Sequence, residues 1–90
     1  MATHTVRVPK KEGLSPHRFD PQELSIKVGD TVEWVNEDKL DHTVTSDDGV
    51  TFAGNLEPLK PPFTKVFSTA GDFAYHCEIH PVMTGVIKVA

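Results

Sequence analysis

Near its C-terminus the chain reads Phe73-Ala-Tyr-His-Cys-Glu-Ile-His-Pro-Val-Met83. The first five residues alternate as in a β-strand, so the two aromatic residues and Cys77 face one side and His76 faces the other. The aromatic side chains mark the first side as the core, which places the thiol inside the protein. The loop that follows carries an imidazole at His80 and a thioether at Met83.

The sulfur and nitrogen donors of this stretch suit a soft metal ion. Cys77 is the only Cys, and Met83 is the only Met after the first residue. A thiolate, two imidazoles and a weak, long thioether bond form the ligand set of blue-copper sites. His42 opens another short strand after a polar loop and can supply the second imidazole if the two strand ends meet. The sequence therefore predicts a copper site made of His42, Cys77, His80 and Met83.

Alternation of apolar and polar residues runs through most of the chain and predicts an all-β fold. Gly29-Asp30 lies between two alternating runs and predicts a two-residue hairpin turn that pairs them. The 7 prolines fall between the candidate strands. We expect a single domain, residues 1–90, folded as a Greek-key β-sandwich or barrel of about seven to eight strands. Residues 47–63 are expected to form a long surface connection. The strand candidates are 3–8, 24–28, 31–35, 42–45, 65–67, 73–77 and 85–89.

Composition excludes several classes of function. The formal net charge of -4 makes nucleic acid an improbable partner. One Cys cannot form an internal disulfide, and no stretch approaches the roughly 20 apolar residues of a membrane span. The first residues lack a charged region followed by an apolar one, so we expect either a cytosolic protein or one whose leader has been removed.

Three segments together resemble the cupredoxins of the plastocyanin and amicyanin type. These are Val28-Gly-Asp-Thr-Val-Glu-Trp-Val-Asn36, His42-Thr-Val44 and Ala70 to Gly85. The two-residue gaps on either side of His80 are similar to the compact ligand loop of amicyanin. The resemblance implies the cupredoxin fold, one copper ion per chain and one-electron transfer rather than enzymatic catalysis. It also implies a monomer in the periplasm or another extracytoplasmic compartment, meeting redox proteins through a weak, transient interface near His80.

The resemblance also implies roles for residues around the ligands. Asn36 is expected to tie the His42 loop to the Cys77 loop by hydrogen bonds. Thr43 stands where the family often has Asn, and its hydroxyl can still reach the ligand loop. Asp41 stands where the family often has Pro, and a carboxylate there would favour Cu(II). A docking patch near His80 would be apolar, with Pro81 and Val82 and some of Leu56, Leu59 and Phe63.

Other interpretations stay open at this point. His76 could lead to a second copper ion, as in copper nitrite reductases and multicopper oxidases, with His4 and His17 as the spare donors. Otherwise His76 lies on the outer face of its strand, and His4 and His17 are solvated. Copper delivery is a further alternative, and zinc binding would be mis-metallation. The acidic residues Glu37, Asp38, Asp41, Asp47 and Asp48 are expected to form a solvated face, with docking as the alternative.

Overall fold

The computed structural model describes residues 1–14 and 16–90, which form eight strands. Alternating burial accompanies most of them, as in β4, where every second side chain is buried. The strands are β1 (Thr3–Val8), β2 (Glu23–Ile26), β3 (Thr31–Asn36), β4 (His42–Ser46), β5 (Ala53–Leu56), β6 (Phe63–Val66), β7 (Gly71–His76) and β8 (Thr84–Val89).

The strands form two sheets, ordered β1-β3-β6 and β2-β8-β7-β4-β5. Two pairs are parallel, β1 with β3 and β2 with β8, and the other pairs are antiparallel. The prediction of an all-β sandwich is confirmed. Among the described residues, no helix has the length and apolarity that crossing a membrane requires.

The predicted hairpin at Gly29-Asp30 is wrong. β2 pairs with β8 in one sheet, whereas β3 pairs with β1 and β6 in the other. The segment between them crosses from sheet to sheet, and Gly29 donates its amide to Phe67 O at 2.8 Å with a φ of 93°. Strands in facing sheets show the same alternation as hairpin strands, because both bury one face in a shared core.

An aromatic core joins the two sheets. The ring of Trp34 on β3 meets that of Tyr75 on β7 edge to face, with centroids 5.5 Å apart, and both residues are fully buried. Phe19 reaches the same core from the segment between β1 and β2, and its ring lies 4.8 Å from that of Tyr75. These large side chains supply much of the apolar burial that stabilises so short a chain.

Residues 47–63 are more regular than expected, because they contain β5 and the first residue of β6. β5 pairs antiparallel with β4 and forms the edge of the larger sheet. β4 in turn pairs with β7, with Thr45 opposite His76. Since β4 and β7 run in opposite directions, the start of β4 at His42 lies near the end of β7, which Cys77 directly follows. The topology thus brings two donors together that are far apart in sequence.

Candidate metal centre

Cys77 follows the last residue of β7 and is fully buried. Its side chain continues the inward face of the strand, as the alternation predicts, beyond the buried Tyr75. The backbone N–H of Thr43 points at the sulfur, with an N–Sγ distance of 3.3 Å. Such a hydrogen bond favours the thiolate, which is the form that binds metals.

Two imidazoles approach the same sulfur. Nδ1 of His42 lies 3.8 Å and Nδ1 of His80 lies 3.9 Å from Cys77 Sγ. A metal ion with bonds of about 2.0 Å to nitrogen and about 2.3 Å to sulfur, as zinc makes them, would hold each nitrogen about 3.7 Å from the sulfur in a trigonal plane. The observed separations therefore fit a metal ion at the centre of this trio, and its soft donor set suits copper.

The loop after Cys77 is closed by its own backbone. The amide of Cys77 donates to Met83 O at 3.0 Å, and the amide of Met83 donates to His80 O at 2.9 Å. Met83 is 1% exposed and belongs to the core cluster that contains Cys77. The thioether is thus held inside the protein, beneath the loop that carries His80.

Gly85 allows close packing beside the strand that leads to Cys77. It lies within β8 opposite Tyr75, and the aromatic ring covers it. A Cβ atom at residue 85 would fall 2.4 Å from Tyr75 Cζ. Glycine is needed here because Tyr75, next but one before Cys77, packs against the backbone.

A buried carboxylate holds His42 from the far side of its ring. Asp38 Oδ2 lies 2.9 Å from His42 Nε2, and Asp38 is 7% exposed. Since Nδ1 faces Cys77, we assign the ring proton to Nε2, which donates to Asp38. Burial acts to raise the pKa of Asp38, but hydrogen bonds from His42 and from the amides of Lys39 and Lys11 outweigh it and lower the pKa to about 2.

The expectation that the acidic residues form a solvated face is therefore wrong for Asp38. Asp41, the expected source of charge near the metal, is exposed, and Asp38 makes the contact instead. The sequence held a signal for this arrangement. Asn36 Oδ1 accepts the amide of Asp38 at 2.8 Å, an Asx turn that folds the carboxylate back toward the strand.

His17 is the second residue that sequence reasoning placed wrongly. It is not solvated at the periphery, because its side chain is only 13% exposed and lies against both candidate ligands. Its ring centroid is 4.3 Å from that of His80 and 5.1 Å from that of His42. Desolvation lowers the pKa of His80 below its usual value of 6.5, and the imidazoles of His17 and His42 lower it further.

Asn36 and Thr43 were both predicted to support the ligands, but only Thr43 bonds to the loop that follows Cys77. Asn36 does not tie the His42 loop to the Cys77 loop, since its Nδ2 donates to Leu40 O at 2.9 Å and to Leu56 O at 2.8 Å. The bond across to the ligand loop comes from Thr43, whose hydroxyl oxygen accepts the amide of Glu78 at 2.8 Å. The Thr43 hydroxyl therefore reaches the loop as anticipated.

The remaining histidines lie outside the trio. His76 faces outward with a side chain 31% exposed, and its Nδ1 lies 2.7 Å from Asp47 Oδ1. His4 pairs with Asp30 near the start of β3. Within residues 1–14 and 16–90, the groups of three metal-donor side chains are His42–Cys77–His80 and His17–Asp38–His42. His76 and His4 belong to neither group.

The fold and the trio define a β-sandwich protein with a thiolate–imidazole metal site. Residues 5–90 match the sequence profile of the family described as "Copper binding proteins, plastocyanin/azurin family". The chain belongs to this family, the cupredoxins, whose members bind one copper ion. The predicted resemblance and the predicted cofactor are confirmed.

Individual relatives include both predicted types. The chain is 34% identical to amicyanin from Paracoccus denitrificans over 80 residues, covering 84% of this chain and 61% of that protein. It is 35% identical to plastocyanin from Scenedesmus fuscus over 83 residues, covering 79% of this chain and 85% of that protein. This chain thus spans less than two thirds of the length of the Paracoccus denitrificans amicyanin.

Solved structures agree with the fold. A purple cupredoxin from Nitrosopumilus maritimus superposes with a TM-score of 0.84 at 27% identity, covering 97% of this chain and 99% of its own. An oxidized amicyanin variant superposes with a TM-score of 0.77 at 30% identity, covering 98% of this chain and 82% of its own. The two-sheet architecture of this chain is therefore that of known cupredoxins.

Proposed function

We propose that this protein is a one-electron carrier, not an enzyme, with a type 1 copper centre held by His42, Cys77, His80 and Met83. The observation that carries the proposal is the convergence of one buried thiol and two imidazole Nδ1 atoms, at 3.8 and 3.9 Å from the sulfur. When bound there, copper supplies a couple between Cu(II) and Cu(I). The family membership and the amicyanin and plastocyanin relatives support this function.

The protein's part in such a function is to keep the donors still. Cys77 and His42 are buried, and their positions are set by the paired strands β4 and β7. The Thr43 amide bonds the sulfur and the Thr43 hydroxyl holds the next residue of the loop. Donors fixed in this way would rearrange little between oxidation states, which lowers the barrier to electron transfer.

Electron exchange would take place at the His80 edge, where apolar side chains are exposed. Ile79 is 53% exposed and Val82 is 82% exposed. Leu56, a predicted member of the docking patch, is 2% exposed and is unavailable. A small apolar surface of this kind suits the weak, transient interfaces of redox proteins. We further propose a monomeric single domain over residues 1–90 that works in the periplasm or another extracytoplasmic compartment.

Visible and EPR spectroscopy of the copper-loaded protein test the proposal. We expect one copper per chain and the intense visible absorption of thiolate-to-Cu(II) charge transfer, which Cys77→Ser should abolish. His42→Ala and His80→Ala should each weaken it, whereas His4→Ala and His76→Ala serve as matched controls and should retain it. A colourless Cu(II) complex would contradict the proposal, as would loss of the absorption in His76→Ala together with a second copper per chain.

A further inference from the structure

The segment between β1 and β2 carries His17 onto the metal centre. Two residues further on, Phe19 is 2% exposed and packs against Tyr75 in the core. Asp20 then exchanges two backbone hydrogen bonds with Arg7 of β1, each 2.8 Å long. Because both anchors lie within three residues of His17, its backbone has little freedom to move away from the ligand loop.

The His17 ring covers the imidazole of His80. The two ring planes are inclined by 40° with centroids 4.3 Å apart, which is the separation of tilted, contacting rings. His80 lies in a loop and has no β-strand of its own to hold it, unlike His42 at the start of β4. A ring packed on this face limits the rotation of the His80 side chain about its own bonds.

The same side chain also reaches the support of the other imidazole. Nδ1 of His17 lies 3.1 Å from Asp38 Oδ2, the atom that is 2.9 Å from His42 Nε2. The nitrogen is buried and makes no hydrogen bond. The contact packs His17 against Asp38 and thereby places His17, Asp38 and His42 in one group beside His80.

We propose that His17 is a positioning residue of the metal centre, holding the His80 imidazole by ring packing and bracing Asp38 against His42. The inference rests on the proposed function, since it takes His42 and His80 as copper ligands. His17 itself contributes no donor to the copper ion. Its effect is to keep His80, the less buried of the two imidazole ligands, in the orientation that directs Nδ1 toward Cys77.

The test compares three variants of the copper-loaded protein. His17→Phe keeps the ring and loses the nitrogen, His17→Asn keeps a nitrogen near Asp38 and loses the ring, and His17→Ala loses both. Partners outside the ligand set commonly contribute about 10- to 100-fold to metal affinity. We expect His17→Ala to lose copper affinity in that range and to broaden the Cu(II) EPR spectrum. His17→Phe should recover most of the affinity, and His17→Asn should recover less.

His4→Ala is the matched control, because it removes another His–Asp pair near the start of β3. Unfolding of the apoproteins separates general destabilisation from an effect on the site, since positioning predicts a larger loss of copper affinity than of stability. If His17→Ala kept the copper affinity and the EPR spectrum of the wild type, the inference would be overturned. The proposed function would still stand as long as the copper-loaded wild type is blue. The inference would also be overturned if the copper-loaded wild type bound one Zn²⁺ and the copper-loaded His17→Asn variant did not. His17 would then be a metal donor in the His17–Asp38–His42 group.

Discussion

Asp38 and His42 form a buried carboxylate–imidazole pair, with Oδ2 2.9 Å from Nε2, on the side of the ring that faces away from Cys77. A carboxylate bonded to the remote nitrogen of a metal-binding imidazole fixes the tautomer and the orientation of the ring. It also brings a negative charge close to the copper site, and that charge favours Cu(II) over Cu(I). The pair therefore bears on both the geometry and the potential of the centre.

We expect Asp38→Asn to raise the reduction potential. The substitution removes the charge but keeps an oxygen that can accept from Nε2 of His42, so the copper should remain bound. At an effective dielectric constant of about 20, a unit charge about 7 Å from the metal contributes about 2.4 kcal/mol, so its loss corresponds to a rise of about 100 mV. Voltammetry of the copper-loaded proteins measures this change in reduction potential. Asp41→Asn is the control, since Asp41 adjoins His42 in sequence but is exposed. A fall in potential, or equal rises in both variants, would contradict the assignment.

Three of the four predicted donors, Cys77, His80 and Met83, have local signals in the sequence. Alternation in 73–77 fixes the inward direction of Cys77, and the spacing of His80 and Met83 lies within one loop. Asp38 and His17 depend instead on contacts between distant segments. His17 sits in an irregular stretch without a periodic pattern, and only the apolar Phe19 among polar neighbours indicated that this stretch is anchored to the core.

Strand partners were harder to predict than strands. The runs that became β2 and β3 were placed correctly within a few residues, yet they belong to different sheets. Alternation reports which side chains face the core, and both sheets face the same one. A glycine that predicts a hairpin turn can equally serve a crossover, because Gly29 uses its freedom to adopt a positive φ, here 93°. Pairing requires long-range information that a single sequence does not carry.

Thr43 offers a way to separate the colour of the site from the retention of copper. Thr43→Val removes the oxygen that accepts the Glu78 amide but keeps the backbone N–H directed at Cys77 Sγ. We expect the visible band to change little, because the hydrogen bond to the sulfur survives. Stability should fall by about 1 to 2 kcal/mol, because the bond between the Thr43 and Thr45 hydroxyls is lost as well. Copper release to a chelator should become faster as the loop loosens.

Thr43→Asn provides the rescue, because its side-chain carbonyl can accept the Glu78 amide. Thr64→Val controls for the introduction of valine at an exposed threonine in a strand. Copper release as slow in Thr43→Val as in the wild type would show that the Thr43–Glu78 bond does not retain the metal. A colour lost in Thr43→Val but kept in Thr43→Asn would show that the bond to the Glu78 amide controls the sulfur environment as well.

Gly85→Ala should destabilise the whole domain. The new Cβ would lie 2.4 Å from Cζ and 2.5 Å from the hydroxyl of Tyr75, whose ring is fully buried and cannot swing into solvent. Overpacking of this kind costs about 3 kcal/mol. Urea unfolding of the apoprotein measures this loss of stability. Thr84→Ala is the control, because Thr84 lies on the same strand and is exposed. Gly85→Ala should lower the free energy of unfolding less in a Tyr75→Leu protein than in the wild type, because the clashing ring is gone. An equal loss in both proteins would mean that the strain does not come from Tyr75.

Asp30 should govern part of the stability at acid pH. Hydrogen bonds from the Ala2 amide, from His4 and from the Lys27 amide hold the pKa of Asp30 well below its usual value of 3.8. A carboxyl whose pKa is lower in the folded state adds stability that is fully present above the unfolded pKa. That stability is lost as the pH falls from about 5 through 3.8 toward the folded pKa.

We therefore expect Asp30→Asn to be less stable than the wild type at pH 7 and to lose less further stability between pH 5 and pH 2. Urea midpoints of both proteins across this range measure the difference. Asp72→Asn, at an exposed position on β7, is the control and should follow the wild-type curve. Parallel curves for Asp30→Asn and the wild type would mean that the Asp30 hydrogen bonds contribute equally to the folded protein whether or not the carboxyl is ionised. The acid sensitivity of the fold would then have to come from other carboxylates, of which Asp48, held by Thr51, Ser46 and the Val50 amide, is the next to substitute.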